Sequence, residues 1–218
     1  MRESELVDNI VRYLNKYNIR NVQEVRMGIG VPDIVINIRA SKAIEQISDY
    51  YLLLIIEYIS QNKKVTISNI ADYFSFDTHK CQSYLYKLTE KNIIYLSDSK
   101  LKINKKIFGI NLGKTISIEA KIKDWRGGLL QAQRYLMFSD YSYLALPKDK
   151  IRNVDLNLLK THNIGLLSIT LNSIEEILPP AKSLECDYKL KYLATSAILE
   201  KNKSPNKRRP DSIFSQLT

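Results

Sequence analysis

The chain of 218 residues is poor in the residues that build compact chemical sites: two cysteines, two histidines, one tryptophan and seven glycines. Cys81 and Cys186 are too few for a disulfide framework or a cysteine-rich zinc site. They read as small hydrophobes in a reducing compartment. His79 and His162 stand too far apart for a histidine-based metal site. No P-loop signature occurs, so no nucleotide cofactor is expected. Any bound metal must then be held mostly by carboxylates, which points to a hard cation, Mg2+ or Mn2+. Long hydrophobic runs are missing too. Tyr51 to Ile59 is broken by Glu57 and is too short to span a bilayer. The opening Met-Arg-Glu-Ser-Glu has no apolar leader core. A cytoplasmic protein of prokaryotic or viral origin, without a membrane partner, is expected.

What is present is an ordinary globular balance, 44% hydrophobic and 26% charged, with an excess of 33 Lys+Arg over 23 Asp+Glu and a net charge of +10. Such an excess favours a polyanion, most often nucleic acid, although it also serves solubility. It is spread unevenly. The end of the chain, 201–218, carries five Lys/Arg against one Asp and reads as a basic disordered tail. Residues 41–108 carry ten Lys against seven acids.

Hydrophobic spacing divides the rest. Residues 4–17 read as a helix capped by Ser4, with Leu6, Ile10 and Leu14 on one face. Val22–Met27 and Val31–Ile38 read as strands around the turn Gly28-Ile29-Gly30. Asp33, next to Pro32, opens the second strand. A carboxylate there needs a metal, a cation or the edge of a cleft, because burying it unpaired costs several kcal/mol. Ala43–Ser60 reads as a long helix. Asn69–Phe74, capped by Ser68, and a helix from Asp77 to about Lys91 follow. Ile93–Leu96 and Leu101–Ile103 form a hairpin. In 114–123, Ile116, Ile118, Ala120 and Ile122 share one strand face, and Glu119 and Lys121 share the other. A helix over Gly128–Phe138, strands at Tyr141–Leu146 and Ile164–Leu171, and a mixed helical segment from 173 to about 200 complete the chain.

Two resemblances emerge from this order. Residues 66–96, TISNIADYFSFDTHKCQSYLYKLTEKNIIYL, with the hairpin that follows, resemble a winged helix-turn-helix. Pro32-Asp33, Glu119-Ala120-Lys121, Asp124-Trp125-Arg126 and the helix bearing Gln131 and Tyr135 resemble, in that order, the PD-(D/E)xK nuclease superfamily. That resemblance implies an α/β fold with a restriction endonuclease-like core, a central mixed β-sheet flanked by helices. The core would comprise 1–40 and 109–200, with the winged helix inserted as 41–108. Insertion costs little when the ends of the insert lie close together.

The same resemblance implies a metal-dependent DNA endonuclease, acting on duplex or branched DNA. Asp33, Glu119 and the backbone carbonyl of Ala120 would bind the metal, joined by Glu3 or Glu5 from the first helix. Lys121 would orient or deprotonate the attacking water, or stabilise the charged phosphorus centre. Gln131 joins the catalytic set, and Tyr135 would contact the site edge or the phosphate backbone. Thr78, His79, Lys80, Gln82, Ser83 and Tyr86 would face DNA, with Lys100 and Lys102 of the wing on phosphate. A homodimer suits a double-strand cut. The competing readings are a catalytically silent DNA-binding regulator on the same fold, and an insert that serves dimerisation or protein contact. Trp125 and Arg126 also read as a simple stacked pair, and Glu119–Lys121 as a plain ion pair.

Overall fold

A computed structural model describes residues 2–201. The chain divides into two compact units, Met1–Ser41 with Leu112–Thr218, and Lys42–Asn111. The proposed tail lies outside the described residues, except Lys201, which ends a helix.

The first unit is α/β. Its mixed six-stranded sheet contains β1 (Asn21–Gln23), β2 (Ile34–Ile38), β5 (Lys114–Ala120), β6 (Tyr141–Pro147), β7 (Ile164–Ile169) and β8 (Ile174–Leu178), side by side in that order. The β5–β6 and β6–β7 pairs are parallel and the other three antiparallel. Helix α1 (Glu3–Lys16) covers one face, setting Leu6, Ile10 and Leu14 on Ile34, Ile36, Ile116, Ile118, Tyr143 and Ala145. Each such side chain, fully buried, contributes roughly 1.5–3 kcal/mol. The other face carries α5 (Trp125–Arg134), α6 (Leu156–Thr161) and α7 (Tyr188–Lys201). Leu129, Ala132 and Leu159 meet Leu144, Leu146 and Leu166 there, and Ala194 and Ile198 pack with Val35, Tyr135 and Phe138.

A polar seam runs beneath α7. Asp140 accepts from the Thr115 N–H at 2.7 Å and from Lys191 Nζ at 2.6 Å. Asn37 Nδ2 donates to Leu112 O, Thr115 Oγ1 and Thr195 Oγ1.

The second unit contains α2 (Tyr50–Gln61), α3 (Ile67–Phe74), α4 (Thr78–Glu90) and the hairpin β3 (Ile94–Ser97) and β4 (Lys100–Ile103). Val65 bridges to Leu101, adding a third chain segment to the hairpin. Cys81, Leu85 and Leu88 form the buried stripe of α4.

Several expected boundaries are corrected. Asp49, not a residue near Ala43, caps α2, because its carboxylate accepts the Tyr51 N–H and 42–49 forms no helix. Thr66 rather than Ser68 caps α3. The N-terminal helix starts at Glu3, where the Glu5 carboxylate takes the Arg2 N–H, so Ser4 lies inside its first turn. The strand expected over Val22–Met27 is only Asn21–Gln23, because Glu24 adopts φ 50° and breaks the extended run. Beyond 173 the chain forms β8 before any helix. Helix α5 begins at Trp125, where Asp124 accepts the Gly127 N–H, and gives way to a 3-10 turn at Tyr135–Met137.

Candidate active site

The antiparallel register of β2 and β5 pairs Ile34 with Ile118. One step further places Asp33, at the mouth of β2, opposite Glu119. Directly opposed residues of such a pair share a sheet face with their Cβ atoms about 4.5–5.5 Å apart. The Asp33 carboxylate is fixed there, because its Oδ2 accepts the Ala120 backbone N–H at 2.7 Å.

Glu119 is only 2% exposed. Its two oxygens have separate partners. Oε2 accepts from the Tyr135 hydroxyl at 2.7 Å, and Oε1 faces Lys121 Nζ at 2.8 Å. Lys121 lies just past β5, and its N–H donates to Ala145 O, prolonging the parallel ladder. Alternation therefore brings Lys121 to the face of Glu119. Its stem is seated under α5. A Cβ on Gly128 would come within 2.7 Å of both Lys121 Cγ and Leu144 Cδ1. Gly30 makes the matching space for Tyr135, whose Cε1 would lie 2.8 Å from an added Cβ.

Burial pushes the pKa of Asp33 up. Like charges on Glu3 and Glu24 add to the shift, against the Ala120 N–H and Lys121. Burial also raises Glu119, helped by Asp33 and opposed by Lys121 and Tyr135. Burial pulls Lys121 down, but Glu119, Glu3 and Asp33 outweigh it, and the net shift is upward. Tyr135 is raised strongly by burial and by its bond to Glu119, so it stays a neutral donor. Two carboxylates that resist joint ionisation beside one cation form a site with unspent attraction for positive charge.

The remaining candidates separate. Glu3 approaches the cluster, its Oε1 3.4 Å from the Ile122 N–H, while Glu5 is engaged at the helix start. Gln131 is half-buried on α5, with no hydrogen bond to Asp33, Glu119 or Lys121 among the described residues. Of the two expected contacts of Tyr135, the structure shows one with the site: at 1% exposure its hydroxyl donates to Glu119. On α4, Thr78, His79, Lys80, Gln82, Ser83 and Tyr86 are all exposed. Lys80 Nζ lies 4.6 Å from the Phe76 ring centroid and 5.3 Å from that of Tyr51, and Tyr86 donates to Glu90. Lys102 is exposed and donates to Ser97, and Lys100 is half-buried. Arg126 stacks on Trp125 at 4.6 Å, as the pair reading expects, although the indole itself is buried.

Sequence reasoning missed Gly30 and Gly128 as the spaces that seat Tyr135 and Lys121. Gly30 was visible only as part of a turn. No group of three or more His, Cys, Asp or Glu side chains gathers into a metal-binding cluster among the described residues.

Neither a protein-family model nor a curated protein matches this chain. A solved structure of a protein of unknown function from Silicibacter pomeroyi matches at 12% identity, covering 92% of this chain and 86% of that chain, with a TM-score of 0.47. A likeness that slight has no bearing on function.

Proposed function

We propose that the protein is a metal-dependent DNA endonuclease of the PD-(D/E)xK type, with a restriction endonuclease-like core and an inserted winged helix. One observation supports this reading above the others: Asp33 and Glu119 face one another across adjoining strands, with Lys121 on Glu119. The two carboxylates are oxygen donors of the kind a hard divalent cation prefers. Mg2+ is commonly held by one or two carboxylates, with water and substrate phosphate filling the shell, so two such residues fit it. Asp33 and Glu119 would hold Mg2+ or Mn2+, with the Ala120 carbonyl from the resemblance and Glu3 at the border. The metal would supply an activated water and a polarised phosphoryl oxygen.

The residues of the chain do the rest. Tyr135 holds one oxygen of Glu119 and fixes the rotamer, leaving the other oxygen toward Lys121. The contact with Glu119 aims the Lys121 ammonium at the site, where it would orient the attacking water or meet the developing charge on phosphorus. The exposed face of α4 and Lys102 of the wing would meet duplex or branched DNA, and a homodimer would supply two sites for two strands.

The test is cleavage of plasmid, flap and four-way-junction DNA with Mg2+ or Mn2+. Wild type should cut at least one substrate, and Asp33→Ala and Lys121→Ala should cut none. Equal behaviour of all three proteins contradicts the proposal. A catalytically silent DNA-binding regulator is the second reading, favoured by the lack of a three-ligand cluster among the described residues. It predicts DNA binding without cleavage and without manganese uptake.

A further inference from the structure

Ser117, Ser139 and Ser142 form a knot of hydroxyls between α5 and the sheet, and all three are fully buried. Ser117 and Ser142 are register partners in the parallel β5–β6 pair, and Ser139 lies in the loop that leads into β6. Ser142 Oγ donates to the Ala132 carbonyl at 2.7 Å, and Ser139 Oγ donates to the Tyr135 carbonyl at 2.6 Å. Each hydroxyl has one proton to give. With those two spent on the end of α5, Ser139 and Ser142 act as acceptors toward Ser117. Its Oγ lies 2.9 Å from Ser139 Oγ and 3.0 Å from Ser142 Oγ, so one proton is shared between two acceptors.

The helix end does not need these hydroxyls to be satisfied. Tyr135 O already accepts the Phe138 and Ser139 N–H groups at 3.1 and 2.9 Å. Apolar contact would serve stability as well, since replacing both partners of a buried hydrogen bond by apolar groups is nearly neutral. The same helix uses apolar contact nearby, where Leu129 and Ala132 meet Leu144 and Leu146. What a satisfied buried polar network adds is one permitted arrangement. Tyr135 is where that arrangement matters. Its carbonyl is tied through Ser139 to Ser117, and its hydroxyl donates to Glu119 at 2.7 Å. Ser117 and Glu119 lie two residues apart on one face of β5, about 6.5 Å. Backbone and ring tip of Tyr135 are therefore both referred to the same strand. A slide of α5 along the sheet, which leucine contacts tolerate, would stretch short directional bonds here.

We infer that Ser117, Ser139 and Ser142 are positioning residues for Glu119, acting through Tyr135. They lock the end of α5 at the height from which the Tyr135 hydroxyl fixes the carboxylate. The inference rests on the proposed function only for what Glu119 then does with a cation.

The metal-free full-length protein, carrying 13Cζ-labelled tyrosine, decides it by NMR. The Tyr135 signal is the one lost in Tyr135→Phe, and Glu119→Gln shows where it moves when the acceptor loses its charge. Ser139→Ala and Ser117→Ala should each move it toward that position. Leu159→Ala, which opens a cavity under α6, should leave it in place, so a shift cannot be put down to lowered stability. Should one serine variant fail to fold, the other decides. A Tyr135 signal unmoved in the folded serine variants, moved equally by Leu159→Ala, or indifferent to Glu119→Gln overturns the inference. The readout involves neither metal nor DNA, so the nuclease proposal can fail while the positioning role stands, and the reverse.

Discussion

At the scale of single residues, the Asp33–Glu119 pair is a source of instability held by its neighbours. Tyr135 and Lys121 each give Glu119 a charge-assisted bond, a kind that contributes roughly 1.5–3 kcal/mol net. Among the described residues, the Asp33 carboxylate accepts one hydrogen bond, from the Ala120 N–H. The pKa of Asp33 is raised in the folded chain, so its protonated form is the better tolerated one. Its contribution to stability is therefore fullest at low pH. It declines as pH rises from the ordinary carboxyl range through the raised folded value. Asp33→Asn keeps an oxygen for Ala120 and removes the charge. In urea unfolding of the metal-free protein, the variant should be more stable than wild type at neutral pH, with the difference vanishing in acid. Wild type equal to or above the variant at neutral pH would refute this. That Glu119 and Lys121 share a face was legible in the sequence, because side chains alternate along a strand, whereas alternation does not say which strand Asp33 pairs with. The inward hydroxyl of Tyr135 was not legible. Helical spacing shows that a residue is near a face, but not which partner on a strand 16 positions earlier its polar tip will find.

At the scale of elements, the site depends on how closely α5 sits on β5 and β6. Gly128→Ala forces a methyl against the Lys121 stem and Leu144. A loss of about 1–3 kcal/mol is expected from overpacking. Under the proposed nuclease function, cleavage should fall beyond what the loss of folded protein explains, because the ammonium moves. Single-turnover rates at a temperature where both proteins stay folded would show it. Beneath α7 the dependence is electrostatic. Lys191→Met removes the cation that pairs with Asp140, which is 6% exposed. Breaking a buried pair from one side costs about 3–5 kcal/mol, readable as a lower urea midpoint. The elements were unevenly legible. Helix α4 was clear from the Asp77 cap and the Cys81–Leu85–Leu88 stripe. Strand β8 was not, because Ile-Glu-Glu-Ile-Leu alternates poorly and gains strand character only from pairing with β7. Helix α2 was drawn too long because the apolar residues of 42–49 fit a helical period without forming a helix.

At the scale of the whole molecule, the two pieces of the first unit meet where the second unit leaves. Ile38 pairs with Lys114, and the carbonyl of Leu112 is bound by Asn37 Nδ2 at 2.8 Å. A Cβ on Gly113 would sit 2.2 Å from the Ile38 carbonyl oxygen, so the strands leave and return almost in contact. Replacing Lys42–Asn111 with a short Gly/Ser turn should convert β2 and β5 into a plain hairpin. The shortened chain should unfold in one cooperative urea transition. A chain that stays unstructured would show that the first unit depends on the second. The long interval between Asp33 and Glu119 was read as an insertion from the family resemblance, because a winged-helix-like pattern fills the gap between the two motifs. Charge told less. The +10 was a cue to a polyanion, yet the densest basic run falls in 201–218, and the carboxylate cluster is itself acidic. Under the proposed function, attraction for phosphate at that cluster requires a bound cation.

Manganese binding tests that requirement most directly. Mn2+ titration of the protein at neutral pH, followed by electron paramagnetic resonance, should show a site that disappears in both Asp33→Asn and Glu119→Gln while the two variants remain folded. Manganese bound equally by wild type and both variants, or by none of them, would contradict the account.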